Sequence, residues 1–238
     1  MAARAARGGA AGTSGGLRWS ETERTLQRTY GPLLAAVDEV GRGPLAGPVV
    51  VCAVVMPPGA PEIPGVDDSK KLAPAARERA AAAVRAGALA YALGAASARE
   101  VDALNVYHAT VLAMRRALAG LGRRLDACGL GPAPDHVLVD GRPLRTLGVP
   151  HTAVVGGDAS CYAVACASVV AKAARDRLMR ALAARYGAYA WDRNAGYPTP
   201  AHRAAVAALG PTPHHRRSFL RGGGARSQRA TDGVGGMR

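Results

Sequence analysis

Short apolar runs punctuated by glycine, proline and acid alternate along this chain with segments of helical period. Leu33 to Val37 reads as a buried strand that closes on Asp38-Glu39. The unbroken run Val49 to Met56, rich in β-branched residues and stopped by Pro57-Pro58, predicts a second buried strand. Ala88 to Ala96 predicts a third strand, His136 to Val139 a fourth closing on Asp140, and His151 to Val155 a fifth closing on Gly156-Gly157-Asp158. Helical spacing covers Glu21 to Tyr30, Pro74 to Ala86 with its proline in the first turn, Glu100 to Leu121, Ser160 to Tyr186, and Pro200 to Leu209. Strands alternating with helices predict an α/β domain built on a mixed sheet of these five strands flanked by helices.

Residues 1–19 and 222–238 are Gly-, Ser- and Arg-rich and predict disordered basic tails. Between them no linker separates two units, so residues 20–221 are expected to form one domain. The 238 residues can bury a core without disulfides or a structural metal. With aromatics at 4%, that core must be built from Ala, Val and Leu. No uncharged run is long and uninterrupted enough to span a membrane. The first residues are acid-poor, which leaves an organellar transit peptide open beside the simpler tail reading, and they lack the apolar stretch of a secretory signal. The four cysteines form no CxxC pair, and Cys52 and Cys166 read as small core residues. A cytoplasmic location is expected.

Charge changes the picture. The chain carries 31 basic and 17 acidic residues, a net +14. Residues 1–20 and 221–238 contribute +3 each, which leaves +8 on the body. Such a body points to polyanions, nucleic acid first and anionic membrane surface second. Only Lys70, Lys71 and Lys172 are lysines, so each is a candidate for a position that prefers a compact charge.

Within this basic chain, the acids Asp38, Glu39, Asp140 and Asp158 all stand at predicted strand ends. Ligand chemistry in open α/β sheets collects beyond strand ends. One such acid alone reads as a turn cap. Four converging carboxylates would repel one another unless hard cations lay between them. In a basic protein that combination suggests phosphodiester chemistry with two ions clamping the attacking and leaving oxygens. The glycines of Gly41-Arg42-Gly43-Pro44-Leu45-Ala46-Gly47 loosely match a dinucleotide loop, but Pro44 and Pro48 obstruct the helix that loop requires. A tight turn exposing backbone N–H groups to a nucleic-acid strand is the better reading.

These residues carry a resemblance. The stretch Ala36 to Val49, Asp67-Asp68-Ser69-Lys70-Lys71-Leu72, Val139-Asp140-Gly141, and Gly157-Asp158 followed by Ala167 to Lys172 and Arg175-Asp176 resemble the blocks of ribonuclease HII, the type 2 ribonuclease H. Asn194 to Thr199 with His202, and His215 to Phe219, continue the resemblance in order. It implies a ribonuclease H-like fold with a helical C-terminal extension and an endonuclease that cleaves the RNA strand of RNA–DNA hybrids. It also implies nicking of duplex DNA on the 5′ side of an embedded ribonucleotide, as in ribonucleotide excision repair. Carried over by position, Asp38, Glu39, Asp140 and Asp158 become the catalytic acids holding two Mg²⁺ or Mn²⁺ ions, with Asp38 bridging them. The Gly41-Arg42-Gly43 turn becomes a backbone contact to the ribose 2′-hydroxyl, the group that distinguishes RNA from DNA. Tyr197 becomes a stacking surface for the adjoining deoxyribose. Gly156 and Ala195 stand where the family commonly carries lysine.

Lys70 and Lys71 are expected to contact phosphate. Lys172 either does so or pairs with Asp176 at the i, i+4 spacing. Tyr107 and His108 read as packing residues, and His214-His215 as a structural block. A monomer is expected, with no membrane partner. The rivals are a catalytically silent nucleic-acid-binding module and a ribonuclease HIII-like enzyme. The second requires an additional N-terminal domain, and only 37 residues precede Asp38.

Overall fold

The computed structural model describes residues 17–67, 69, 70 and 72–221. Its centre is a five-stranded sheet of β1 (Leu34–Val40), β2 (Val49–Val55), β3 (Ala90–Ala96), β4 (His136–Asp140) and β5 (His151–Val154). The strand order is β3-β2-β1-β4-β5. β1 pairs antiparallel with β2 and parallel with β4, so the sheet is mixed, as the alternation of elements implies.

Period-two alternation divides the core into two layers. Leu34, Ala36, Cys52, Val54 and Leu138 face one side and pack on α5 (Tyr162–Arg185) and α2 (Pro74–Gly87). Ala35, Val37, Val51, Ala53, Val137 and Val139 face the other, against α3 (Ala98–Ala127). Alanine and valine fill most of both layers, as the shortage of aromatics requires.

The N-terminal helix α1 (Glu21–Tyr30) opens on a capping box between Ser20 and Glu23. The Glu23 carboxylate, fully buried, also accepts the Tyr162 and Ala163 amides at 3.1 and 2.7 Å, so one side chain caps two helices. α3 is kinked at Asn105, which sits at φ 66°; its side-chain oxygen accepts the Tyr107 and His108 amides and restarts the helix. Beyond α5 come a 3₁₀ turn (Gly187–Tyr189) and the short helices α6 (Trp191–Asn194), α7 (Pro200–Leu209) and α8 (Arg217–Arg221). No described helix is long and apolar enough to cross a membrane.

Three expectations need correction. Asp38 and Glu39 do not follow β1 but lie inside it, because pairing with β2 continues through Val40 opposite Val50. Asp158 is separated from β5 by a left-handed Gly156 and belongs to the one-turn helix α4 (Gly157–Ser160). The body begins before residue 20: Trp19 is buried on Tyr162, with its indole N–H donating to the Ala60 carbonyl at 3.1 Å. Residues 1–16 and 222–238 of the two tails lie outside the described residues, and so does Lys71.

Candidate active site

Parallel pairing of β1 with β4 aligns Val37 with Val139, and the next residue on each strand is an acid, Asp38 and Asp140. α4 brings Asp158 to the same end of the sheet. Asp38, Glu39, Asp140 and Asp158 all line one cleft of about 440 Å³, together with Ser69, Lys70, Arg77, Ser168, Lys172 and Tyr197. The cleft therefore unites the four predicted acids although they come from three elements.

Each carboxylate is held by a different donor. The Glu39 amide donates to Asp38 Oδ1 at 2.8 Å, and the Ser168 hydroxyl of α5 lines the cleft beside it and favours the ionised carboxylate. Arg42 Nη1 lies 3.1 Å from Glu39 Oε1, the Gly157 amide donates to Asp140 Oδ1 at 2.7 Å, and Lys70 Nζ lies 2.8 Å from Asp158 Oδ2. Burial, with the Glu39 and Asp140 charges beside it, pushes the Asp38 carboxyl well above the usual carboxylate range. Burial raises Glu39 and Asp140 as well.

The acids are gathered but not closed into a coordination shell. Among the described residues, no three ligating side chains stand together as an ion-holding group. Glu39 is drawn to Arg42, Asp158 to Lys70, and Asp140 to the Gly157 amide. The donor set still fits a hard divalent cation. It offers carboxylate oxygens only, and like charge and burial hold three of them in a state that a cation would relieve.

Of the expected substrate contacts, Lys70 and Lys172 reach the cleft through ion pairs. Lys172 Nζ sits 2.6 Å from Asp176 Oδ1, the i, i+4 pair. Arg42 directs its guanidinium to Glu39, leaving its backbone for other work. Tyr197 is 42% exposed and its ring lies beside Gly43, so it is no core residue. Sequence reasoning missed Ser69, Ser168 and Arg77. Ser69 and Ser168 share a hydroxyl–hydroxyl bond at 2.9 Å beneath Asp38. Arg77 pins the Lys70 loop by donating to the Ser69 and Leu72 carbonyls, and it pairs with Asp176 at 2.9 Å. An arginine on an Ala-rich helix gave no sign of this.

Tyr197 stands on a platform built by α6, α7 and the His214-His215 block. Trp191 and His202 are fully buried, and the indole N–H donates to His202 Nε2 at 3.0 Å. The Thr212 amide donates to His215 Nδ1, which puts that ring's proton on Nε2, 3.0 Å from His202 Nε2. His202 must then donate from Nδ1 to the Tyr197 carbonyl at 2.9 Å. Burial and the neighbouring imidazoles push His215 down to about 4, so the chain of rings stays neutral.

The ribonuclease HII family profile matches residues 35–222 of this chain. A ribonuclease HII from Granulibacter bethesdensis is 53% identical over 198 residues, covering 82% of this chain and 86% of the relative. The crystal structure of ribonuclease H2 from Pyrococcus horikoshii superposes with a TM-score of 0.63 at 25% identity, over 79% of this chain and 95% of that one. A ribonuclease HIII solved in complex with Mn²⁺ shares the fold at a TM-score of 0.56 and 21% identity, over 81% of this chain and 66% of that one.

Proposed function

The chain belongs to the ribonuclease HII family and is an endoribonuclease of the ribonuclease H2 type, and from that premise we propose that it acts on the RNA strand of RNA–DNA hybrids and on duplex DNA with embedded ribonucleotides. It nicks the latter on the 5′ side of the ribonucleotide and leaves 3′-hydroxyl and 5′-phosphate ends. The observation that carries this reading is the convergence of four carboxylates on one cleft beside the Gly41–Gly43 turn and Tyr197. Neither a silent binding module nor a ribonuclease HIII-like enzyme is favoured.

Asp38, Glu39, Asp140 and Asp158 would hold the divalent ions, Mg²⁺ or Mn²⁺. Bound there, such ions lower the pKa of water and stabilise charge on the leaving oxygen. The Glu39 amide orients Asp38, and the Gly157 amide orients Asp140. Lys70 and Lys172 supply positive charge along the path of the scissile strand, with Lys71 of the same block. The backbone of Gly41, Arg42 and Gly43 binds the ribose 2′-hydroxyl, and Tyr197 packs on the neighbouring deoxyribose. The protein works as a monomer in the cytoplasm, in removal of misincorporated ribonucleotides.

The test is a DNA duplex holding one ribonucleotide, incubated with Mg²⁺, with Mn²⁺ and with neither. A single nick 5′ to the ribonucleotide, present only with metal, is the expected result. Cleavage without metal, or at the 3′ side, would overturn the reading.

A further inference from the structure

Arg175 and Arg216 are both fully buried, and neither hydrogen-bonds a carboxylate among the described residues. Arg175 Nε, Nη1 and Nη2 donate to the carbonyls of Pro48, Ala195 and Ala46 at 3.0, 2.9 and 3.0 Å. Arg216 donates to Gly47 at 3.1 and 2.8 Å, to Arg42 at 2.7 Å and to Gly41 at 2.5 Å. Two guanidinium groups thus gather six carbonyls, five from residues 41–48 and one from the segment that leads into Tyr197. Burying two like charges with no acid bonded to either is costly: burial, with the Arg175 charge beside it, lowers Arg216 to about 10, and burial lowers Arg175 as well. A turn that only had to close could do so with neutral groups.

The direction of these bonds explains what the cost secures. In a planar trans peptide the C=O of one residue and the N–H of the next point opposite ways. Arg216 draws the Gly41 carbonyl inward, so the Arg42 N–H faces outward. It draws the Arg42 carbonyl inward, so the Gly43 N–H faces outward too. Neither N–H has an acceptor among the described residues. Gly41 lies at φ 90°, and a Cβ there would collide with Arg175 Nε, so the glycine lets the second guanidinium reach under the turn.

We propose that Arg216, seconded by Arg175, is the specificity-positioning residue of this enzyme: by holding the turn's carbonyls inward it aims the Arg42 and Gly43 amides at the 2′-oxygen of the substrate. Through Ala195, Arg175 fixes Tyr197 in the same frame. The proposal rests on the reading of the turn as the 2′-hydroxyl contact and deepens it.

The deciding measurement is a ratio of dissociation constants. Binding is measured in Ca²⁺, which takes the same class of oxygen ligands in looser geometry. One duplex carries a single ribonucleotide and the other is its all-DNA counterpart. A partly unfolded variant weakens both constants alike and leaves their ratio unchanged. Arg216→Lys keeps a charge but loses the fork. It should collapse the preference for the ribonucleotide by about tenfold or more while the all-DNA constant moves far less. Arg175→Lys should do the same to a smaller degree, and it serves if Arg216→Lys does not fold. A ratio preserved in the folded variants overturns the proposal alone. A wild-type protein that binds both duplexes equally overturns the reading of the turn, and the proposal with it.

Discussion

The acid cleft and the C-terminal platform flank the same turn, yet they are built on opposite plans. In the platform, Trp191, His202, His215 and Thr212 form one hydrogen-bonded chain with a single consistent placement of protons. In the cleft, four carboxylates share one space, three of them raised by burial, and two are held by exposed cations rather than buried ones. Side-chain exposure of Lys70 is 74% and of Arg42 50%, so both counter-ions can be exchanged. The platform is satisfied within itself and can hold Tyr197 still. The cleft is held in tension that an outside cation relieves, which suits a site where charge must be bound and released.

The strongest way to break this contrast is at Asp38. Asp38→Asn should reduce cleavage by more than about 100-fold, beyond the range typical of residues that only orient ligands. Without metal its melting temperature should equal or exceed that of the wild type, because a buried repelling charge is gone. Near wild-type nicking by this variant would remove Asp38 from the site.

Trp191→Ala probes the other plan. It should cost roughly 3–5 kcal/mol in a denaturant titration, as loss of a buried aromatic with its hydrogen bond does, and lower cleavage of every substrate together. A cost below about 1 kcal/mol would show the platform to be less tightly determined than its bonds indicate.

Tyr197→Ala sharpens the division, since this half-exposed ring is carried by the platform but serves the cleft. Stability should change by no more than about 0.5 kcal/mol. Cleavage at a single embedded ribonucleotide should fall more than cleavage within a continuous hybrid. Measuring both rates beside a melt decides; equal losses with a lowered melting temperature would make Tyr197 a packing residue.

Acid should move the two regions in opposite directions. A carboxyl whose folded pKa is raised, as at Asp38, destabilises the fold once ionised, so the metal-free cleft gains stability as pH falls through that raised value. His215, depressed to about 4, contributes stability above the ordinary imidazole value of 6.5 and loses it as pH falls toward 4. Metal affinity should therefore weaken on acidification before the platform fails. Calorimetric titration with Mn²⁺ and melts over the same pH series check the order; simultaneous loss would contradict it.

The smallest effect is expected from the termini. Removing residues 1–16 and 222–238 takes away Arg4, Arg7, Arg226, Arg229 and Arg238 against one acid, Asp232. Affinity should weaken about equally for any duplex and its salt dependence should flatten, with the nicked bond unchanged. A shifted cleavage position would show that these residues do more than attract.

Where the physics is local, the sequence was readable. The run Val49 to Val55 is a strand because nothing polar interrupts it, and Glu21–Tyr30 is the helix its spacing predicts, ending at Gly31. The four acids were found by residue type and order, although pairing across β2 extends β1 past two of them. What stayed hidden was non-local. The kink at Asn105 depends on one residue taking a positive φ, and α5 hides the function of Ser168. Arg175 and Arg216 entered only through the net charge and the blocks that contain them, since an arginine in a list shows no direction. Only the fold reveals that both point inward. The one available signal was Arg175 itself, set among the apolar residues of α5.

Glu23 has a consequence for how the chain is made. It needs the amides of Tyr162 and Ala163, about 140 residues downstream, to complete its contacts. At the ~5–20 residues per second of synthesis, the first helix waits on the order of ten seconds or more before its partner emerges. β1 waits similarly for β4, while β2 and β3 pair with what is already present. The antiparallel half of the sheet can thus assemble on the ribosome, and the closing of α1 onto the start of α5 marks the moment at which the nascent chain first holds all four acids of the cleft.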